Sequence, residues 1–71
     1  MASRYCIEIR GLVPLPKLEI YREEFTIARG EEATFMTGSI QDASQLHGIV
    51  SHITNMGLEL VEVRRAPLHA P

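Results

Sequence analysis

The chain has 71 residues, 45% of them hydrophobic, and its 7 Lys and Arg against 9 Asp and Glu give a formal net charge of -2. A chain of this length forms one domain and buries only about 60% of its unfolded surface, so its core is thin. We predict no nucleic-acid partner, because nucleic-acid binders cluster Lys and Arg on one face. The sequence contains neither an apolar run of membrane-spanning length nor a secretory signal, so we predict a cytoplasmic protein without a membrane partner.

Small domains supplement a thin core with disulfides, metal ions or self-association. The single cysteine, Cys6, has no partner for an internal disulfide, and no Cys or His spacing is typical of structural zinc. We therefore expect a homo-oligomer, a dimer or higher, and we expect neither a metal ion nor a cofactor.

The first predicted strand covers residues 4–10, where Tyr5, Ile7 and Ile9 alternate with polar residues. An apolar connector over 11–23 follows, and its two prolines lack the amide donors that a central strand needs. Such a connector packs over the sheet or contributes to a contact between subunits. We predict an oligomer interface formed by the apolar connector residues and one residue of the last strand, namely Leu12, Val13, Leu15, Leu18, Ile20 and Leu60.

Two further strands, 24–28 and 33–38, flank a short charged turn and form a predicted hairpin. Gly30 is expected to supply the positive φ that short hairpin connections require. The alternation within the second of these strands is imperfect. It leaves open which of Phe35 and Met36 faces the core.

One amphipathic helix is predicted over about residues 43–56. Asp42 is a suitable N-cap, with Gln45 three residues later as in a capping box, and Gly57 is suited to a left-handed C-cap. Apolar residues recur at helical spacing, namely Ala43, Leu46, Ile49, Val50, Ile53 and Met56. Three of them, Ile49, Val50 and Ile53, are expected at the centre of the core.

The last predicted strand covers 58–65, with Val61 and Val63 facing the helix and Leu60 facing away. Residues 66–71 have no periodicity and are expected to be flexible. The element order β-β-β-α-β predicts a single α+β domain, a two-layer sheet with one covering helix, ordered over about residues 4–65.

We predict the sheet order 3-2-1-4, with 1-2-3-4 as the alternative. The first order places two pairs of opposite charge across neighbouring strands, with Glu8 and Arg10 on one strand and Glu62 and Arg64 on the other. A crossover carries the third strand over the sheet into a parallel fourth strand. The second face of the sheet has no helix to cover it and is suited to a partner.

The stretch that begins Gly38-Ser-Ile-Gln-Asp and continues through Leu46-His-Gly, together with Met56-Gly-Leu-Glu-Leu-Val-Glu-Val-Arg-Arg, resembles a widespread group of short, uncharacterised bacterial and archaeal proteins. The resemblance is good over the C-terminal part and extends to residues 1–37 only in strand pattern. It implies a compact α+β domain. It brings no activity, substrate, cofactor or catalytic residue.

His47 is the strongest candidate for chemistry. It lies in the first turns of the predicted helix, where the helix dipole favours a neutral ring that could act as a general base or bind a ligand. Packing and hydrogen bonding beside the cap explain a histidine equally well, and we favour that structural role. His52 lies roughly 140° around the helix from His47, so the two cannot share a metal ion within one chain. We assign no catalytic residue.

The thin core, the apolar connector and the open sheet face favour a non-catalytic homo-oligomer or a protein-interaction module with an unidentified partner. The alternative is a small-molecule enzyme or ligand carrier of the dimeric α+β-barrel type, with a pocket near His47. A closed cavity with convergent polar groups would favour the alternative, whereas a packed interface would favour the first hypothesis.

Overall fold

The computed structural model describes residues 2–66, which form one four-stranded sheet covered on one face by an α-helix and a short 3-10 helix. The elements in chain order are β1 (Ser3–Arg10), the 3-10 helix η1 (Leu15–Tyr21), β2 (Phe25–Arg29), β3 (Ala33–Ile40), α1 (Ala43–Asn55) and β4 (Leu60–Ala66). The predicted α+β class with one sheet and one main helix is confirmed. The tail expected to be flexible lies outside the described residues, apart from Ala66, which ends β4.

The sheet order is β2-β3-β1-β4, and every neighbouring pair is antiparallel. The predicted order 3-2-1-4 is corrected in one respect, because β3 and not β2 lies beside β1. The connector between β1 and β2 is long enough to cross the sheet, and it packs Val13 and Leu18 into the same core as the helix residues Ile49 and Ile53. The connection from β1 to β2 and the connection from β3 to β4 are thus both crossovers. This arrangement is the split β-α-β, or ferredoxin-like, topology. That topology alone implies no function.

The strand register differs from the one that motivated the predicted order. Glu8 lies opposite Glu62, and Cys6 lies opposite Arg64, so the expected pairs of opposite charge do not form. Arg10 instead forms an ion pair with Glu59, which precedes β4, at 3.1 Å between Nε and Oε2. The antiparallel pairing of β1 with β4 places like charges opposite each other at one position of the sheet.

A bulge in β4 changes which of its residues face the helix. Ile9 pairs with Leu60 and Glu8 pairs with Glu62, so Val61 is the extra residue between them. Leu60 consequently packs against the core, and Val61 is 46% exposed. The expected directions of Leu60 and Val61 were therefore wrong, whereas Val63 faces the core as predicted.

The hairpin between β2 and β3 is present, with Arg29 opposite Thr34. The residues with positive φ are Gly11 and Gly57, so Gly30 does not have the backbone conformation predicted for it. The turn is held by the Gly30 amide, which donates to the Ala33 carbonyl at 2.8 Å. This bond closes the turn without a left-handed residue.

The core lies between the sheet and the two helical segments. Its buried apolar members are Ile7, Ile9, Val13, Leu18, Tyr21, Phe25, Met36, Ile40, Ile49 and Ile53. Met36 is the inward-facing residue of β3, and the half-buried Phe35 lies on the opposite face. Val50 is only half-buried and lies at the border of the helix contact, so its expected central position is corrected.

Both ends of α1 are fixed by hydrogen bonds. The Asp42 carboxylate accepts from the Gln45 amide at 2.9 Å, and the Gln45 side chain accepts from the Gln41 amide at 2.7 Å. At the other end Gly57 has a φ of +82° and its amide donates to the Thr54 carbonyl. This pattern at the C-terminus belongs to the Schellman type of helix end.

Candidate functional site

A pocket of about 240 Å³ lies between the first turn of α1 and the ends of β1 and β4. We call it the N-terminal pocket. Its lining residues come from three stretches of the chain, namely Ser3, Tyr5, Ile40, Gln41, Asp42, Ala43, Leu46 and Arg65. The lining therefore combines hydroxyl-bearing residues, one cation and one carboxylate with apolar side chains.

Strand pairing positions the cation of this pocket. Arg65 lies directly opposite Tyr5, and its guanidinium carbon is 5.8 Å from the centre of the Tyr5 ring, within the range of a cation–π contact. Val63 and Arg65 share the face of β4 that points toward the helix, whereas Arg64 points toward the other face. The bulge at Val61 sets this alternation.

The carboxylate of the pocket belongs to the helix cap. Asp42 has an extended backbone, and its Oδ1 atom accepts the Gln45 amide. Asp42 and Arg65 line the same pocket, yet within residues 2–66 neither forms an ion pair within 4.0 Å. Two opposite charges therefore border one small cavity without neutralising each other.

His47 lies on the exposed side of α1. It borders a shallow depression of about 350 Å³ together with Ala43 and Ser44, and this depression is wide open to solvent. Neither of these neighbours is titratable. The helix and the sheet also separate His47 from Cys6, which lies on the uncovered face of β1.

His52 has a defined partner that the sequence did not indicate. The Tyr21 hydroxyl lies 2.7 Å from the His52 Nδ1 atom, which joins η1 to α1. The Tyr21 ring also meets Phe25 edge to face, with 6.0 Å between centroids. Burial raises the pKa of Tyr21 above its ordinary value of 10.0. The available signal was the position of His52 at the edge of the apolar stripe, where a half-buried ring needs a hydrogen-bond partner.

The face of the sheet away from the helices is uncovered, and we call it the open face. By register it comprises Arg4, Cys6, Glu8, Arg10, Thr26, Ala28, Ala33, Phe35, Thr37, Ser39, Glu62, Arg64 and Ala66. Cys6, Phe35 and Thr37 are half-buried there. The acidic pair Glu8 and Glu62 occupies one row of this face, and Arg64 occupies the next row.

The connector residues assigned to an oligomer interface differ in their exposure. Val13 and Leu18 are buried in the chain's own core, which accounts for their apolar character without a second subunit. Leu15 is half-buried. Leu12 and Ile20 are 51% and 68% exposed, so these two remain available to a partner.

Within residues 2–66 no group of three or more His, Cys, Asp or Glu side chains is arranged to hold a metal ion. In the same part of the chain, no helix has the length and apolar character needed to cross a membrane.

The chain belongs to a family described as Domain of unknown function (DUF8691), whose model matches residues 4–64. No curated protein and no solved structure matches the chain. Membership in an uncharacterised family agrees with the resemblance seen in the sequence. It assigns no activity to the residues described above.

Proposed function

We propose that this protein is a non-catalytic homo-oligomeric module in which a second copy of the chain covers the open face of the sheet. The observation that carries the proposal is the acidic row formed by Glu8 and Glu62. These residues lie directly opposite each other on neighbouring strands, where like charges are destabilising. Glu8 is half-buried, and neither carboxylate forms an ion pair with a described residue.

A second copy supplies the missing cations. Arg64 lies two residues beyond Glu62, about 7 Å along the strand, and Arg4 lies further in the same direction on β1. When two open faces meet around a two-fold axis, the acidic row of one subunit can lie against the basic row of the other. An interface of this kind is self-complementary, as two-fold symmetry requires.

The partial burial of residues on the open face also favours this face as the dimer contact. Cys6, Phe35 and Thr37 form a half-buried patch at the centre of the open face. A domain of this size gains stability by covering such a patch. An unpaired thiol is typical of a reducing compartment, so we also infer a cytoplasmic location.

The experiment is sedimentation velocity across the micromolar range at low and high salt. We expect a dimer mass that dissociates on dilution, and more readily at high salt because added ions screen the charge pairs. A mass of 8.0 kDa at every concentration would contradict self-association.

Charge exchange identifies the surface. Glu62→Arg and Arg64→Glu each place like charges across the two-fold interface, so each should weaken the dimer by about tenfold or more. The double variant restores opposite charges across the interface and should recover the dimer. Glu31→Arg, at the exposed hairpin turn, changes the net charge by the same amount as Glu62→Arg and serves as its control. Equal weakening by the control would show that net charge, and not this face, decides association.

The exposed residues of the connector between β1 and β2 are the alternative dimer contact. Ile20→Ser removes an exposed apolar side chain and should leave the dimer intact if the open face forms the contact. Dissociation of Ile20→Ser, with Glu62→Arg still dimeric, would overturn the open face and assign the contact to the connector.

A further inference from the structure

The N-terminal pocket presents two opposite charges to one small, partly open space. Arg65 and Asp42 both line the pocket, and they are too far apart to pair with each other. A simple anion would be attracted by Arg65 and repelled by Asp42, and a simple amine would meet the reverse. We propose that the pocket binds a small zwitterion, an α-amino acid, with its carboxylate at Arg65 and its ammonium group at Asp42.

The Arg65 end is suited to a carboxylate. A guanidinium presents parallel N–H donors that match the two oxygens of a carboxylate. The contact with the Tyr5 ring holds the guanidinium over the pocket wall without using its donors. Ser3 and Tyr5 also line the pocket, and a hydroxyl group is a suitable donor to a carboxylate.

The Asp42 end is suited to an ammonium group. One carboxylate oxygen, Oδ1, accepts the Gln45 amide and holds the side chain at the start of α1. The other oxygen, Oδ2, has no hydrogen-bond partner among residues 2–66. A carboxylate can accept several hydrogen bonds at once, so helix capping and ligand binding do not compete for the same atom.

The apolar residues of the pocket are suited to the ligand's side chain. Ile40, Ala43 and Leu46 line the pocket together with the two charged residues. The volume of about 240 Å³ is below the roughly 300 to 1,000 Å³ of sites for drug-sized molecules. A free amino acid with an aliphatic side chain fits this combination of size, charge and polarity.

The probe is L-leucine, titrated into the uniformly labelled full chain and followed by amide NMR. We expect saturable shifts at Tyr5, Ala43 and Leu46, with a dissociation constant of about 1 mM or below. 4-Methylpentanoate lacks the ammonium group and 3-methylbutan-1-amine lacks the carboxylate, so each should bind about tenfold more weakly. Absence of saturable shifts up to about ten times that concentration would overturn the proposal, as would equal binding of either analogue.

Three variants locate the site. Arg65→Gln and Asp42→Asn should each raise the dissociation constant about tenfold. Asparagine is as good an N-cap as aspartate, so Asp42→Asn removes the charge and keeps the helix start. The matched control is Arg64→Gln, which changes the neighbouring cation on the open face and should bind L-leucine as the parent chain does.

The same control separates this inference from the proposed dimer. Loss of self-association in Arg64→Gln, with L-leucine binding intact, would support both proposals. Unchanged L-leucine binding in Arg65→Gln and Asp42→Asn would overturn the pocket and leave the dimer unaffected.

Discussion

The two crossover connections both pack on the same face of the sheet, but different kinds of contact fix their conformations. The second, between β3 and β4, is a regular helix whose start, apolar face and end are each specified by residues within it or beside it. The first, between β1 and β2, contains only a short 3-10 helix with no side-chain cap, and its conformation changes at Leu18. Its position depends on residues distant in sequence.

Two of these distant contacts anchor the first crossover. The Val13 amide donates to the buried Thr34 hydroxyl at 2.9 Å, and that hydroxyl donates to the Gly11 carbonyl at 2.8 Å. At the other end, Tyr21 bonds to His52 on α1. The second crossover is thus specified locally, and the first is specified by the fold that it completes.

The largest expected effect tests the second crossover. Ile53 is fully buried, so Ile53→Ala should lower the free energy of unfolding by about 3 kcal/mol through lost contacts and the cavity left behind. Val50 is half-buried, and Val50→Ala should cost only about 1 kcal/mol. Urea denaturation of both variants measures the difference. Equal losses would contradict the orientation of the helix on the sheet.

The sequence predicted what depends on local chemistry. The helix over residues 43–56 follows from capping residues and a spacing of 3.6 residues per turn, and the observed Ala43–Asn55 differs by one residue. The hairpin between β2 and β3 joins strands that are neighbours in sequence, so alternation and turn length suffice to predict it. Ile49 and Ile53 reach the core for the same reason.

The strand order and the N-terminal pocket depend on contacts between distant segments. The prolines in the connector excluded a strand but did not show that the chain crosses over to place β2 beyond β3. The alternation that directs Val63 toward the helix also directs Arg65 there, but only the pairing of β4 with β1 places Arg65 opposite Tyr5. The pocket could therefore not be assembled from the sequence, although Asp42 was recognised as a capping residue.

The second prediction tests the distant anchors of the first crossover. Thr34→Val keeps the shape of the side chain and leaves the Val13 amide and the Gly11 carbonyl without their partner, at a cost of about 2 kcal/mol. Thr26→Val, at an exposed position of β2, is the control and should change stability by less than about 0.5 kcal/mol. Hydrogen exchange should show faster opening at Val13 than at Ile53 in Thr34→Val. Uniform protection would mean that the first crossover does not open separately.

The smallest effect concerns the hydrogen bond that joins the two crossovers. Tyr21→Phe removes the hydroxyl that forms the hydrogen bond with the His52 Nδ1 atom and keeps the ring against Phe25, so it should cost about 1 kcal/mol. Burial raises the pKa of Tyr21 above 10.0 in the folded chain. The folded state therefore favours the protonated hydroxyl, and this stabilisation is complete below pH 10.0 and lost as pH rises through the folded pKa. Urea denaturation between about pH 8 and 11 should show that stability falls once the pH exceeds the pKa of tyrosine in the unfolded chain. This fall should be smaller in Tyr21→Phe. In Tyr5→Phe the buried hydroxyl remains, so the contribution of Tyr21 to the fall should persist. An identical pH dependence in the parent chain and Tyr21→Phe would mean that the Tyr21 hydroxyl is not buried in the folded chain in solution.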